Sequence, residues 1–357
     1  MTPIENTFMN DERSRTTAAA VVSVVIVNWN GKHLLAECLD SVIAQRVAGL
    51  EIILVDNGSK DGSVEFVRER YQDIKLVSLP ENLGFAGGSN AGMRLSSGKY
   101  IVLLNNDTKV DPFWLTNLLQ DAETGLPTTG MWASKILTYD DPAIIDNIGH
   151  LVYADGLARG RGRLEKDSGQ YDEPGEALWP SGCAGMYRGR MIDEIGLFDE
   201  KFFAYADDVD LGLRARLAGW GCRYVPSAKV YHKYSSSSSA YSSFKAFLVE
   251  RNRIWVLFKY YPLEMIVVSP LATMVRLLVH VFGALSGRGA SGKFAQQHSV
   301  FQAGAVLLKA WASALSGLPS MLRQRFAFAP LKRIGRRELY RLFCKFRISV
   351  YEIALKE

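Results

Sequence analysis

Cysteine is scarce in this 357-residue chain: Cys38, Cys183, Cys222 and Cys344 lie far apart, with no C-x-x-C pair and no metal-type spacing. That excludes a disulfide scaffold or a zinc ribbon and leaves reduced, partly buried thiols of a cytosolic protein as the expectation. A G-x-G-x-x-G turn after the first strand-like run is also missing, because Asn28-Trp29-Asn30-Gly31 supplies one glycine there. This counts against a dinucleotide-binding dehydrogenase. No apolar segment follows a basic start in the first twenty residues, which mix acidic and basic groups and read as a flexible leader without a signal peptide. There is no internal repeat. With 48% hydrophobic and 22% charged residues, most of the chain is too apolar to be disordered.

Charge is modest in sum but uneven. The net value is +5, yet the segment from Gly317 onward holds ten Lys/Arg against three Asp/Glu, which leaves the remainder near −2. A basic tail on a nearly neutral body implies an anionic surface partner, lipid or nucleic acid. The length suits one large α/β domain, or one of roughly 240 residues with an appendage.

Short β-branched runs alternate with helical periodicity. Ser23–Val27 reads as a buried strand, and Leu34, Leu35, Cys38, Leu39, Val42 and Ile43 mark the helix after it. Glu51–Val55, Lys75–Leu79 and Tyr100–Leu104 read as further strands; Asp61–Tyr71 and a short Ala91–Ser96 read as helices. This alternation predicts a parallel sheet with helices on both faces, whose ligands bind at the C-terminal strand ends. Asn28, Asp56, residues 80 to 90 and Asp107 all fall there. From 130 to 190 the pattern is Gly-, Asp- and Arg-rich and predicts an antiparallel extension or substrate loop. A helix over 208–218, a strand over 222–225, a mobile serine run at 235–239 and a helix over 241–260 follow. Residues 261–285 are strongly apolar but interrupted by Glu264, Pro270, Arg276 and His280; 300–322 is a second apolar stretch. The interruptions favour an interfacial or membrane-dipping helix pair over a spanning one.

Two acidic clusters stand a hundred residues apart: Asn105-Asn106-Asp107 closing a strand, and Asp207-Asp208-Val209-Asp210 heading a helix. A carboxylate at a strand end can hold a divalent ion, with phosphates and water completing its shell. Crowded carboxylates raise one another's pKa and suit a general base. We assign the base to Asp208 and helix capping to Asp207 or Asp210. Together the clusters imply a metal-assisted transferase acting on a phosphate-bearing donor. Asp56 can accept a hydrogen bond from a nucleobase or ribose, whereas Asp61 reads as a helix cap. Asn82–Gly92 reads as a Gly-rich loop whose N–H groups approach a diphosphate. His232 is a structural histidine or, beside a metal-diphosphate, a ligand. Arg251 reads as a solvated helix charge more readily than as a phosphate contact.

The segments VSVVIVNWNG, LVDNGSKDGS, ENLGFAGGSNAG, LLNNDT and FDEKFFAYADDVDLGLRARLAGW, in this order, resemble family 2 glycosyltransferases, and within them the rhamnosyltransferase-like group that builds bacterial surface polysaccharides. The resemblance covers about 22 to 260. It implies the GT-A fold, a Rossmann-like, mostly parallel sheet with helices on both faces, here followed by a C-terminal helical, membrane-associating region. It also implies an inverting transfer from a nucleotide-sugar, a dTDP- or UDP-sugar among the candidates, to a glycan or lipid-linked glycan, aided by Mg2+ or Mn2+. Carried over, Val27 and Asn28 border the nucleoside and Asp56 holds the base; Asn82, Gly84, Asn90 and Asn106 complete the donor side. Asp107 is the last position of the D-x-D-like metal motif, whose first position is Asn105 here, and His232 matches a metal or diphosphate ligand. Asp208 matches the general base. Ser181, Gly182, Cys183, Asp207 and Trp220 fall on the acceptor side.

The expected organisation is a leader at 1–20, a GT-A domain at 21–260 (donor half 21–128, acceptor half 129–260) and apolar helices with a basic tail at 261–357. That tail would hold the enzyme on the cytoplasmic face of the inner membrane, peripheral or monotopic, with no nucleic-acid partner; an oligomer through the C-terminal helices is the alternative. A sugar-phosphate nucleotidyltransferase would carry its Gly-rich motif directly after the first strand, which this chain does not. A membrane scaffold with a degenerate transferase fold draws support from Asn105 and is opposed by intact Asp107 and Asp208.

Overall fold

A computed structural model describes residues 20–233 and 242–356. The expected leader, but for its last residue, and the serine run lie outside the described residues. The first half alternates strictly: β1 (Val22–Asn28), α1 (Lys32–Ile43), β2 (Leu50–Asp56), α2 (Ser63–Arg70), β3 (Lys75–Ser78), α3 (Gly84–Leu95) and β4 (Tyr100–Asn105), then β5 (Thr108–Val110) and α4 (Trp114–Thr124). Next come β6 (Thr129–Thr138), β7 (Ile145–Asn147), β8 (His150–Val152), β9 (Ala158–Gly160), β10 (Gly175–Glu176), β11 (Ala184–Arg188), α5 (Gly189–Ile195), α6 (Asp207–Leu217), β12 (Gly221–His232) and α7 (Ser243–Tyr260). The C-terminal region holds α8 (Leu263–Ser286), α9 (Gly289–Gln297), α10 (Val300–Phe328), α11 (Arg336–Lys345) and α12 (Val350–Leu355).

One ten-stranded sheet runs in the order β10-β12-β6-β11-β4-β1-β2-β3, with β5 on β12 and β7 on β6. Strands β3, β2, β1 and β4 are parallel, while β11 is antiparallel to both its neighbours. Side chains of these strands alternate between two cores. Val24, Ile26, Leu54 and Val102 pack with α1, α2 and α4, and Val25, Val55, Ile101 and Leu103 pack with α3, α5, α6 and α7. Burial on both faces is why these strands read as unbroken β-branched runs.

Three elements differ from the sequence reading. Helix α3 begins at Gly84, so the glycine-rich stretch is helical, not a loop. Its glycines let the helix lie on the sheet: a Cβ at Gly88 would stand 2.7 Å from Val27 Cγ1, and one at Gly92 would collide with Val25. Strand β12 runs for 12 residues rather than four, because a bulge between Val225 and Lys229 restores its pairing with β6. The cap position of α2 is Gly62; Asp61 still accepts from Ser63 N at 3.1 Å and also from Lys32 N at 2.8 Å.

The C-terminal region is folded onto the sheet domain. Residues 346–348 pair with Val152, and the Arg159 guanidinium donates to the carbonyls of Glu352, Ile353 and Lys356. Helix α7 lies between. Its Glu250 is buried and accepts from Arg253 Nε at 2.9 Å, Arg276 Nη2 at 2.9 Å and Trp311 Nε1 at 2.8 Å. Burial pushes the Glu250 carboxyl up, but Arg253 and Arg276 outweigh it and hold the pKa at about 2.

A carboxyl held this low stabilises the fold fully above its unfolded value of about 4.3, and the contribution is lost as pH falls through about 2. Removing one partner from such a buried cluster costs about 3 kcal/mol. Thermal unfolding should therefore separate Glu250→Gln from wild type most widely above about pH 5, with the gap closing toward pH 2, where protonated Glu250 resembles glutamine. A gap independent of pH would show that the charge is not what holds α7 to α8.

Candidate active site

The chain leaves β1 toward β2 on one side and returns to β4 on the other, so a crevice opens at the C-terminal end of β1. In-register pairing brings Asn28 level with Asp56, and Val27 level with Asn105. The buried Asn28 amide ties the crevice together: its Nδ2 donates to Asp56 Oδ1 at 3.2 Å, and its Oδ1 accepts from Asn106 Nδ2 at 2.7 Å. Asp56 accepts further from Ser59 N at 3.0 Å. Gly31 leaves the floor open, since a Cβ there would stand 2.7 Å from Asn28 Oδ1 and collide with the Asn106 amide. Four of the expected donor-side residues, Val27, Asn28, Asp56 and Asn106, thus meet at one point.

Asn82 and Gly84 border the same crevice through Asn57, which sequence reading passed over. Asn57 Nδ2 donates to Asn82 Oδ1 and Gly84 O, both at 3.0 Å, and its Oδ1 accepts from Leu83 N at 2.9 Å. Gly84 has φ +73°, and a Cβ there would strike the Phe203 carbonyl. Asn90 stands further along α3, donating to Phe198 O and Glu200 Oε1 and accepting from Phe198 N. Its amide joins α3 to the segment before α6.

Asp107, just before β5, and His232, the last residue of β12, come together where those two strands pair. His232 Nε2 lies 3.3 Å from Asp107 Oδ1, and Nδ1 lies 2.7 Å from Asp146 Oδ2. Asp146 is held in turn by Arg163 Nη1 at 2.7 Å. Burial opposes a charged ring, but Cys183, Asp107 and Asp146 outweigh it and set the His232 pKa well above the ordinary imidazole value. The buried Asp107 Oδ1 accepts no hydrogen bond. An orphaned carboxylate oxygen beside an imidazole oriented by a second carboxylate is a donor set that fits a hard divalent cation. Among the described residues no three His, Cys, Asp or Glu side chains form a ready-made site. Such a cation would need ligand oxygens to complete its shell.

Asp207 and Asp208 open α6, and the expected side-chain cap is corrected: the cap position is Ala206 and no side chain caps it. Asp210 is buried, accepting from Arg214 Nε at 3.1 Å and Tyr260 OH at 2.7 Å and pairing with Lys259, so it anchors α7. Burial first, and then Asp208, hold the Asp207 carboxyl well above the usual range. Asp208 is the partly open member: Gly182 N donates to its Oδ2 at 3.1 Å, and His150 Nε2 lies 3.7 Å from that oxygen. One residue on, Cys183 O accepts from Asn105 N at 2.9 Å, and Cys183 N donates to Ser181 Oγ at 3.2 Å. The turn Ser181–Cys183 therefore touches both acidic clusters. Trp220 lies beyond the other end of α6, its indole donating to Glu194 at 3.1 Å and packing over Gly130.

The backbone entering α6 is unusual. Phe203, Tyr205 and Ala206 all have positive φ, between 59° and 66°. Asn252, fully buried on α7, holds them: its Nδ2 donates to the carbonyls of Phe202, Ala204 and Tyr205 at 3.0, 2.9 and 2.7 Å. Arg251, expected to be solvated, instead stacks on Trp255 at 4.3 Å and donates to Phe202 O at 3.0 Å. Asp146, Asn57 and Asn252 carry no motif. Asn57 follows the end of β2, Asp146 sits in the three-residue strand β7, and Asn252 lies in the polar run 250–253, so none of them stands out as a site residue by its pattern.

The sequence profile described as "Glycosyl transferase family 2" matches residues 23–140, and that of "Glycosyl transferase family group 2" matches residues 100–323. The N-acetylglucosaminyl-diphospho-decaprenol L-rhamnosyltransferase of Mycobacterium tuberculosis is 28% identical over 266 residues, spanning 66% of this chain and 86% of the relative. The O-antigen biosynthesis protein RfbC of Myxococcus xanthus is 28% identical over 231 residues, 61% of this chain but 18% of its own length. Among solved structures, GalNAc-T7 with UDP, GalNAc and Mn2+ superposes with a TM-score of 0.56 at 18% identity, covering 69% of this chain and 49% of that one. The mannosyltransferase PcManGT from Pyrobaculum calidifontis, in complex with GDP-Man and Mn2+, gives 0.51 at 16% identity, covering 85% and 88%. These likenesses establish the GT-A fold.

Because the Asn252 amide reaches three carbonyls of the strained segment, Asn252→Ala should lower stability by roughly 2 kcal/mol. It should also speed hydrogen exchange of the amides at 203–206 at least tenfold. Unchanged exchange at those amides would remove the clamp from the account of the site.

Proposed function

The chain belongs to glycosyl transferase family 2, and from that premise we propose that it moves a sugar from a nucleoside-diphosphate donor to a hydroxyl of a lipid-linked glycan, with inversion at the anomeric carbon. The observation that carries this reading is the Ser181–Cys183 turn, which bonds Asp208 through Gly182 N and the strand leading to Asp107 through Cys183 O. It sets a base candidate beside a donor crevice. The L-rhamnosyltransferase relative, whose length is largely spanned, supports rhamnose as the sugar and a polyprenyl-diphosphate-linked acceptor.

In this reading the crevice at Asn28, Asp56 and Asn106 receives the nucleoside. Asp208 accepts the proton of the acceptor hydroxyl. That oxygen bonds to the anomeric carbon as the bond from carbon to the diphosphate oxygen breaks, and the nucleoside diphosphate leaves. Asp107 and His232, once the ring has given up its proton, would hold a divalent cation, Mg2+ or Mn2+, which would supply charge neutralisation to the departing diphosphate. Asp146 fixes the ring of His232. Asp207, favoured in its protonated form by its burial, adds little charge of its own at the head of α6.

Thermal unfolding with a panel of nucleoside diphosphates and nucleotide-sugars, with and without Mn2+, tests the donor site. Wild type should be stabilised by one nucleotide in a metal-dependent way, and Asp107→Ala should not. Asp208→Asn should keep that stabilisation while its transfer rate falls by a hundredfold or more. Folded wild type that no nucleotide stabilises would overturn the transferase reading.

A further inference from the structure

Helix α8, and helix α10 from Ala310 onward, are two-faced. On α8, Ser269, Arg276 and Gly283 are buried. Arg276 Nε donates to Asp155 Oδ2 at 2.7 Å and Nη2 to Glu250 Oε2 at 2.9 Å. Thr273 Oγ1 donates to the same Asp155 oxygen at 3.2 Å, and Tyr153 OH donates to Ala272 O at 3.3 Å. On the other side Val267, Leu271, Met274, Leu278, Val281 and Leu285 recur every three or four residues, each more than half exposed. That spacing is a single stripe, and from Val267 to Leu285 it runs for about 27 Å. Helix α10 repeats the plan. Ala310, Ala314 and Met321 are buried, and Trp255 Nε1 donates to Ala314 O at 3.0 Å. Phe301, Leu308, Leu315 and Leu322 face outward at seven-residue intervals, from 38% to 91% exposed.

Charge around these stripes has one sign. From 265 to 337 the chain has no Asp or Glu and ten Lys and Arg. Among them Arg288, Lys293, Lys309, Arg323, Arg336 and Arg337 are exposed.

We infer that α8 and α10 lie in the plane of an anionic lipid bilayer, their apolar stripes seated at the boundary between headgroups and acyl chains, and that neither crosses it. Both helices are long and apolar enough to cross by length and composition. A crossing helix, however, meets lipid all round, and α8 would have to strip Arg276 from Asp155 and Glu250, leaving charges buried without partners. A second copy is the weaker occupant, because a two-fold contact would set one predominantly basic surface, whose one acid on α8 is Glu264 beside Arg336, against another. Anionic headgroups complement that surface instead. The patch also reaches toward the site. His298 Nδ1, just before α10, lies 3.5 Å from Ser243 Oγ at the start of α7, and the neighbouring Phe244 ring meets Phe203. On the proposed function, a lipid-linked acceptor would thus be held near Asp208.

Flotation of the full chain with sealed vesicles, without sugar donor, tests the surface apart from the chemistry. Binding to phosphatidylglycerol–phosphatidylcholine vesicles should exceed binding to phosphatidylcholine alone at least tenfold and weaken in high salt. The pair Leu278→Glu and Leu308→Glu should reduce it at least tenfold without lowering the unfolding temperature. For topology, Gln296→Cys in a Cys344→Ser background, bound from outside, should react with a membrane-impermeant thiol reagent added outside. Protection until the vesicles are lysed would mean that α8 crosses and would overturn the inference. So would absence of vesicle binding by a chain that dimerises as its concentration rises.

Discussion

Everything at the site depends on the register of β1 against β2 and β4. Parallel pairing with no offset puts Asn28 beside Asp56 and Val27 beside Asn105, so three chain segments finish at the same height. Asn28 then donates to Asp56 and Ser59 and accepts from Asn106, and its neutral amide joins both sides of the crevice without adding charge. A one-residue slip would send each of these side chains to the opposite face of the sheet. The two dense cores that clasp the strands forbid that slip, so packing far from the crevice fixes its chemistry.

The other half of the site is held under strain. Three residues without glycine's freedom adopt left-handed backbone just before Asp207, at about 1 to 2 kcal/mol each. Asn252, Arg251 and the close approach of Gly84 to Phe203 offset that cost from three directions. The outcome is a helix whose first turn carries Asp207 inward and Asp208 toward the Ser181–Cys183 turn. A side-chain cap would have used one of those carboxylates. Leaving the cap to Ala206 keeps both for the site.

The first half of the fold was legible because β-branched runs and helical spacing alternate without conflict, and strand ends are where carboxylates and amides collect. Asp56 and Asp107 could be placed on that ground alone and Asp208 by the crowding of carboxylates at a helix head, and the resemblance joined them to His232. The glycine-rich stretch misled: glycine disfavours helix locally, and only contact with Val25 and Val27 makes a helix of it. Asp146, Asn57 and Asn252 were invisible for another reason. Each acts through a partner distant in sequence, and an amide or carboxylate inside a strand or helix leaves no periodic trace. Arg251 looked solvated because its stacking on Trp255 depends on the loop before α6, which sequence cannot position.

Helix α7 carries Glu250 and Asn252 two residues apart, so they point to different sides of one rod. One side grips Arg276 of α8; the other grips the backbone that aims Asp208. No joint separates them, for both side chains are buried and both bonded into their neighbours. The outer apolar helix α8 and the backbone that leads into Asp208 are therefore fastened to opposite sides of the same buried helix.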